Sequence, residues 1–256
     1  MAVDEWATRA TSFGAIAEDY DRYRPGPPIA AAEWVLPRQC DAVVDIGAGT
    51  GALTRLLVQL ARRVTAVEPD PRMAAVLAAR VPEAVVLNGR AEQLPLPDGG
   101  FDALVGSSMW HWVDEPRAAT EAARVLRPGG VFGLLWTGPD RTEGWLADLM
   151  AAAVGPAVPA EEEARRRQRR HAVHLPDDAP FGEPETHVVR WSIPVTPDDL
   201  VGLAGTYSRF IVLPEAERAE LRERVVEIVR GHPAIAGREQ LELPMGCRCW
   251  RAVRLS

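Results

Sequence analysis

Apolar and polar positions change rhythm along the chain. From residue 27 to about 136, short apolar runs alternate with segments whose apolar residues recur at helical spacing, the order that parallel strands joined by crossover helices require. Ala42 to Ile46 predicts a first strand, and Leu53, Leu56, Leu57 and Leu60 share one face of a helix predicted from Gly51 to Leu60. Further strands are predicted at Val64 to Val67, Val85 to Leu87, Phe101 to Val105 and Val131 to Trp136. Asp70 and Pro71 form an N-cap and first-turn pair for a helix ending near Arg80. Asp114 with Pro116 opens another, which stops before a turn at Pro128-Gly129-Gly130.

Beyond residue 137 the rhythm loosens. Gly138 to Gly182 reads as a charged helical cap, His187 to Ile193 as a sixth strand and Cys249 to Leu255 as a seventh. Pro214 to Arg230 predicts an amphipathic helix with Leu221, Val225, Ile228 and Val229 inward and Gly231 as its stop. The expectation is a Rossmann-like α/β fold, a doubly wound and mostly parallel seven-stranded sheet with a helical cap insertion. No repeat, linker or low-complexity tract divides residues 1–256, so one domain is expected.

Composition narrows the function. A net charge of −7 discourages contact with phosphate backbones, so nucleic acid is not an expected partner. No stretch of about 18 apolar residues predicts a membrane span, and Asp4 and Glu5 sit where a secretory leader would be apolar. The 3 cysteines do not make a disulfide framework, which favours a reducing, cytoplasmic setting. Oligomeric state is not legible.

The chemistry concentrates in Asp45-Ile46-Gly47-Ala48-Gly49-Thr50-Gly51, at the passage from first strand to first helix. Alternating glycines let the backbone turn tightly and approach a ligand that a Cβ would hold away. Such a loop lies where ligands bind in doubly wound sheets. Gly47, Gly49 and Ala52 also satisfy the relaxed dinucleotide fingerprint, leaving an NAD(P)- or flavin-dependent oxidoreductase open. Asp45 weighs against a pyrophosphate, which an adjacent carboxylate repels, and suits a cationic ligand. Glu68, ending the second strand, suits two ribose hydroxyls under either reading.

With these motifs the chain resembles the class I S-adenosyl-L-methionine (SAM)-dependent methyltransferases, in particular small-molecule enzymes of the trans-aconitate methyltransferase-like type. The likeness rests on the Asp45–Gly51 loop, Val67-Glu68-Pro69-Asp70, Gly89-Arg90-Ala91-Glu92-Gln93-Leu94-Pro95, Trp110-His111-Trp112 and Leu126-Arg127-Pro128-Gly129-Gly130. It implies SAM as cofactor, with S-adenosyl-L-homocysteine as product. Gly47, Ala48 and Gly49 would lie under the methionine part and Asp45 would face the amino group. Glu68 would hold the ribose, Pro69 and Met73 would pack beside the adenine, and Ala91 and Glu92 would run along its edge. Arg90 stands where many members carry an aspartate.

The resemblance extends to Phe13–Pro25, a stretch that related enzymes fold over the cofactor as a lid, making Tyr20 and Arg24 candidates for the cofactor's carboxylate. It thus divides the domain into lid and helix (1–40), cofactor-binding core (41–137), helical cap (138–182) and C-terminal strands and helices (183–256). After the fourth strand, Ser107 falls on the cofactor side and Trp110 and His111 on the substrate side. His111 is the candidate catalytic residue, as a base for a hydroxyl or a guide for a carboxylate; the plainer alternative is a histidine packed between two tryptophans. Tyr207 and Ser208 are candidates for the substrate pocket, against the ordinary reading of a buried, hydrogen-bonded tyrosine. The expected reaction is methyl transfer to an oxygen, before nitrogen or carbon, of a small metabolite, with a carboxylate as the suggested acceptor. A non-catalytic regulator that binds SAM or its product is the second alternative.

Three signals are discounted. Arg165 to Arg170 follow Glu161 to Glu163 at helical pairing distance, as on a solvated face. His171 and His174 lack a third ligand, and Cys247 and Cys249 alone make no zinc site, so no metal is expected.

Overall fold

The computed structural model describes residues 12–140, 144–154 and 172–256. Seven strands form one sheet in the order β3-β2-β1-β4-β5-β7-β6: β1 (Ala42–Ile46), β2 (Arg63–Val67), β3 (Val85–Leu87), β4 (Phe101–Ser107), β5 (Leu126–Pro139), β6 (Glu185–Val195) and β7 (Leu241–Val253). All pairings from β3 through β5 are parallel, which is the mostly parallel seven-stranded sheet the pattern predicted.

The central strands read as continuous apolar runs because both of their faces are covered. β1 is buried along its whole length, and β4 along all but its end residues. Two acids interrupt these runs, each with a task. Asp102 Oδ2 accepts hydrogen bonds from the amides of Asp41 (2.6 Å) and Ala42 (2.8 Å), while its Oδ1 pairs with Arg127 Nε at 2.8 Å. It thereby ties the start of β1 to β4 and to the start of β5. Asp45, at the other end of β1, faces the glycine loop.

The described residues fall into two compact units, each with its own core. The larger comprises residues 25–137, 172–189 and 247–256, and its core gathers Val44, Ile46, Leu104, Trp110, Phe132, Leu134 and Trp250. Cys247 and Cys249 are buried here, the Cys247 sulfur accepting from Thr137 Oγ1 at 3.4 Å. The smaller comprises residues 12–24, 138–140, 144–154 and 190–246. Its core gathers Leu146, Leu149, Leu200, Leu203, Val225, Val229 and Leu243.

Helix signals held where a cap stood behind them. Asp70 caps Pro71–Arg80 by accepting from Arg72 N at 2.9 Å, and Asp114 caps Glu115–Val125 by accepting from Arg117 N at 3.2 Å. The first helix starts later than expected, at Thr54 rather than Gly51, because Gly51 holds a φ of +89° that no helix admits. The Pro128-Gly129-Gly130 turn lies within β5, where the register with β4 jumps from Phe101↔Leu126 to Ala103↔Val131. Glu215–Gly231 buries Val225 and Val229, and continues through Gly231 to a cap at His232. The predicted cap contains a helix at Gly144–Val154, whereas residues 172–182 are irregular chain whose Val173, Leu175 and Phe181 pack on the larger core. The arginine run and His171 lie outside the described residues.

Candidate cofactor site at the carboxyl edge of the sheet

Parallel register brings the two acids together. Ile46 pairs with Val67, so the loop leaving β1 runs beside the residue that follows β2, and Ala48 N donates to Val67 O at 3.3 Å. Gly47, Gly49 and Gly51 all adopt positive φ (58°, 58° and 89°), which turns the chain three times within five residues. A Cβ on Gly47 would come within 2.9 Å of Met109 Cβ, and one on Gly51 within 3.0 Å of Leu77 Cγ. Met73, expected near the adenine, places its Cε 3.6 Å from where a Gly49 Cβ would stand.

Glu68 is buried and spans the crevice. Its Oε2 accepts from Gly49 N at 2.8 Å and its Oε1 from Asp70 N at 2.9 Å, which leaves further lone pairs on each oxygen. Burial raises its pKa and outweighs these two bonds, which work in the opposite direction. Asn88 Nδ2 holds the same segment by donating to Glu68 O (3.3 Å) and Pro69 O (3.1 Å).

Asp45 is 1% exposed. Thr54 Oγ1 donates to its Oδ2 at 2.6 Å, and its Oδ1 is buried with no hydrogen-bond partner among the described residues. Burial, with a smaller contribution from the charge of Glu68, pushes its pKa up to about 7 against the opposing pull of Thr54. A carboxylate in that state gains from a cationic donor.

Ala91 is buried and Glu92 half-buried on the loop after β3. Glu92 Oε1 accepts from Asp114 N at 3.0 Å, and Arg90, which departs from the family pattern, pairs with Glu92 at 3.6 Å. Beyond β4, half-buried Ser107 precedes Ser108, a non-glycine residue at φ 56° whose amide donates to Leu135 O at 2.7 Å. That turn sends Trp110 into the core against Phe132 (5.2 Å between rings) and leaves His111 exposed on Trp112 at 4.9 Å. The two tryptophans therefore face different surroundings.

Twelve of the sixteen residues singled out by sequence thus belong to the larger unit: Asp45, Gly47, Ala48, Gly49, Glu68, Pro69, Met73, Ala91, Glu92, Ser107, Trp110 and His111. Tyr20, Arg24, Tyr207 and Ser208 belong to the smaller one.

Similarity to known proteins decides between the nucleotide chemistries. A family model described as a methyltransferase domain matches residues 44–134. An uncharacterized methyltransferase of Mycobacterium tuberculosis is 40% identical over 241 residues, covering 94% of this chain and 95% of that one. The chain belongs to the class I SAM-dependent methyltransferases. Neither the oxidoreductase nor the regulator is favoured for this methyltransferase.

Solved structures agree on its fold. A protein from Anaeromyxobacter dehalogenans, to which type II methyltransferase activity is attributed, superposes with a TM-score of 0.63 at 24% identity, covering 91% of this chain and 98% of that one. The phosphoethanolamine N-methyltransferase 2 of Haemonchus contortus, solved with S-adenosylhomocysteine, gives 0.54 at 15% identity, covering 100% of this chain and 61% of that one.

The residues present fit SAM. The unpartnered Asp45 Oδ1 offers an ammonium group the acceptor it needs, Glu68 keeps lone pairs for hydroxyls, and Gly47 and Gly49 carry no side chain to obstruct the approach. Thr54, Asn88 and Met109 were not singled out from sequence. Thr54 could have been, since a hydroxyl nine positions after the acid opens the helix that the loop feeds. Asn88 and Met109 act through long-range register and packing, which local spacing does not encode.

Proposed function

We propose that this methyltransferase transfers the methyl group to an oxygen of a small-molecule metabolite, before nitrogen or carbon, and that the acceptor is a carboxylate. The observation that supports its placement of the cofactor is the buried oxygen of Asp45 beside the glycine loop, which has no hydrogen-bond partner among the described residues. When bound, SAM supplies an electrophilic methyl group on a sulfonium. Asp45 holds the amino group, Gly47, Ala48 and Gly49 underlie the methionine part, and Ser107 borders it. Glu68 takes the ribose hydroxyls, Pro69 and Met73 flank the adenine, and Ala91 and Glu92 follow its edge. Tyr20 and Arg24 are the candidates for the cofactor's carboxylate.

Methyl transfer is an in-line displacement, so alignment of the acceptor oxygen supplies much of the acceleration. A carboxylate acceptor has no proton to lose, and exposed His111 then orients it rather than deprotonating it. Tyr207 is the further candidate for the acceptor side; Trp110, which the sequence also offered, is packed in the core against Phe132 instead. We place the activity in the cytoplasm and on free metabolites, in keeping with the net charge of −7. Among the described residues no helix is long and apolar enough to cross a membrane.

The test incubates the protein with SAM and a metabolite panel, with mass spectrometry reading the gain of a methyl group. Methyl esters of one or more carboxylic acids are expected, and His111→Ala should lower kcat by no more than about tenfold, less than the usual loss of a general base. Products confined to amines, or a loss of about 1,000-fold in His111→Ala, would overturn the reading.

A further inference from the structure

Between β3 and β4 the chain runs through residues 88–100 without helix or strand, so its backbone polar groups must find partners elsewhere. The helix Glu115–Val125 supplies them. Ala118, Ala119, Ala122 and Ala123 of that helix are buried, while Glu121 and Arg124, three positions apart, pair with each other beside the loop.

Arg124 commits every N–H of its guanidinium. Nε donates to Glu121 Oε1 at 2.7 Å, Nη1 to Leu96 O at 2.8 Å and to Asp98 Oδ1 at 2.6 Å, and Nη2 to Leu94 O at 3.0 Å and to Glu121 Oε2 at 2.8 Å. Glu121 Oε2 also accepts from Leu94 N at 2.7 Å, so the pair holds both polar groups of the Leu94 backbone. The Arg124 carbonyl fixes the far end of the loop by accepting from Gly99 N at 2.9 Å. At the near end, Asp114 N at the cap of the same helix donates to Glu92 Oε1 at 3.0 Å. One helix thus anchors the loop from Glu92 to Gly99.

Two parallel bonds make the guanidinium–carboxylate pair stiff, and Arg124 holds the Glu121 carboxyl below its ordinary pKa. Asp98 is 79% exposed, so its bond adds little. The hold comes from Glu121 and the backbone of Leu94 and Leu96. A lysine would keep the charge but donates from one nitrogen and offers no planar fork. Leu94 is buried two residues after Glu92 and three after buried Ala91, so a shift at Leu94 is passed to both. A site tells one base from a close analogue only with polar groups that stay in place, because a loose loop adapts to whichever base arrives.

We propose that Glu121 and Arg124 are positioning residues for recognition of the cofactor's base, acting through the loop they hold. The proposal rests on the placement of Ala91 and Glu92 along the adenine edge.

The test uses the full chain with Arg124→Lys, which keeps the charge without the fork, and Glu121→Leu. Calorimetry compares S-adenosylhomocysteine with S-inosylhomocysteine, in which a carbonyl replaces the 6-amino group of the base. The wild type should prefer the adenine form by about tenfold or more, as expected when a matched polar group is exchanged. Each variant should lose about threefold or more of that preference, chiefly through weaker binding of S-adenosylhomocysteine. A merely structural role would lower the folded fraction, which reduces both apparent affinities by one factor and leaves their ratio unmoved. Wild-type ratios in the variants would therefore overturn the positioning role, however far their melting temperatures fall. Should one variant not fold, the ratio in the other decides. A wild type indifferent to the two bases would overturn the placement of Ala91 and Glu92, and this inference with it. Unchanged ratios in variants of a discriminating wild type would remove the inference alone.

Discussion

Thr54 Oγ1 and Asp45 Oδ2 are joined by a buried hydrogen bond of 2.6 Å, which turns one oxygen of the acid toward the helix and leaves the other for a ligand. The bond works against the burial that pushes the carboxyl up to about 7. Thr54 thus acts as a positioning residue that keeps Asp45 ionisable near neutral pH.

Replacing Thr54 by valine preserves shape and removes that donor. The pKa of Asp45 should rise further, and affinity for S-adenosylhomocysteine at pH 7 should fall by about three- to tenfold, in line with a lost hydrogen bond to a charged group. Between pH 6 and 8 the wild type should bind more tightly as Asp45 ionises, and the variant's curve should be displaced to higher pH. Calorimetry across that range checks both the loss and the displacement.

The same group makes the free protein sensitive to pH. Asp45 has a folded pKa of about 7, above its ordinary value of 3.8. Its contribution to stability is therefore fully present below 3.8 and is lost as pH rises through 7. The slope for one such group is at most about 1.4 kcal/mol per pH unit, and Glu68, also raised, acts in the same direction. Asp45→Asn cannot ionise, so between pH 5 and 8 it should gain on the wild type by on the order of 2 kcal/mol. Urea unfolding of both proteins at the two pH values measures this, and an equal pH dependence would contradict the assigned burial.

Gly47 is needed for two independent reasons, its φ of +58° and the 2.9 Å approach a Cβ would make to Met109 Cβ. The nearest atom belongs to the base of the Met109 side chain, so it cannot swing aside. Gly47→Ala should cost about 2 kcal/mol or more, lowering Tm by about 5 °C or more and weakening S-adenosylhomocysteine binding. Gly99, also at positive φ but with nothing within 4 Å of a Cβ, is the control; Gly99→Ala should cost only the backbone part.

What was legible in the sequence was what local chemistry determines. Asp70-Pro71 and Asp114 marked helix starts because capping acts within one turn, and Ala42–Ile46 read as a strand because both of its faces are buried. The turns of the glycine loop were legible for the same reason, whereas Glu68 comes beside them only through the register of β1 with β2. Other features depend on partners far along the chain. The jump in register around Asp102 looked like a simple turn at Pro128-Gly129-Gly130, since the β4 neighbour that reveals it lies outside that motif. Trp110 and His111 are adjacent in sequence, yet only the positive φ at Ser108 and the packing on Phe132 separate a core indole from an exposed imidazole. The Arg24 guanidinium carbon, 4.4 Å from the centre of the Tyr207 ring, meets it across 183 positions (207 − 24), and no periodicity connects the two.

The central claim is that Asp45 receives the amino group of the cofactor. Calorimetric titration of S-adenosylhomocysteine into the wild type and Asp45→Ala at pH 7.5 tests it most directly. A weakening of about 1–3 kcal/mol, the range for losing a charge-assisted hydrogen bond, is the predicted result. Equal affinity in the two proteins would contradict the account.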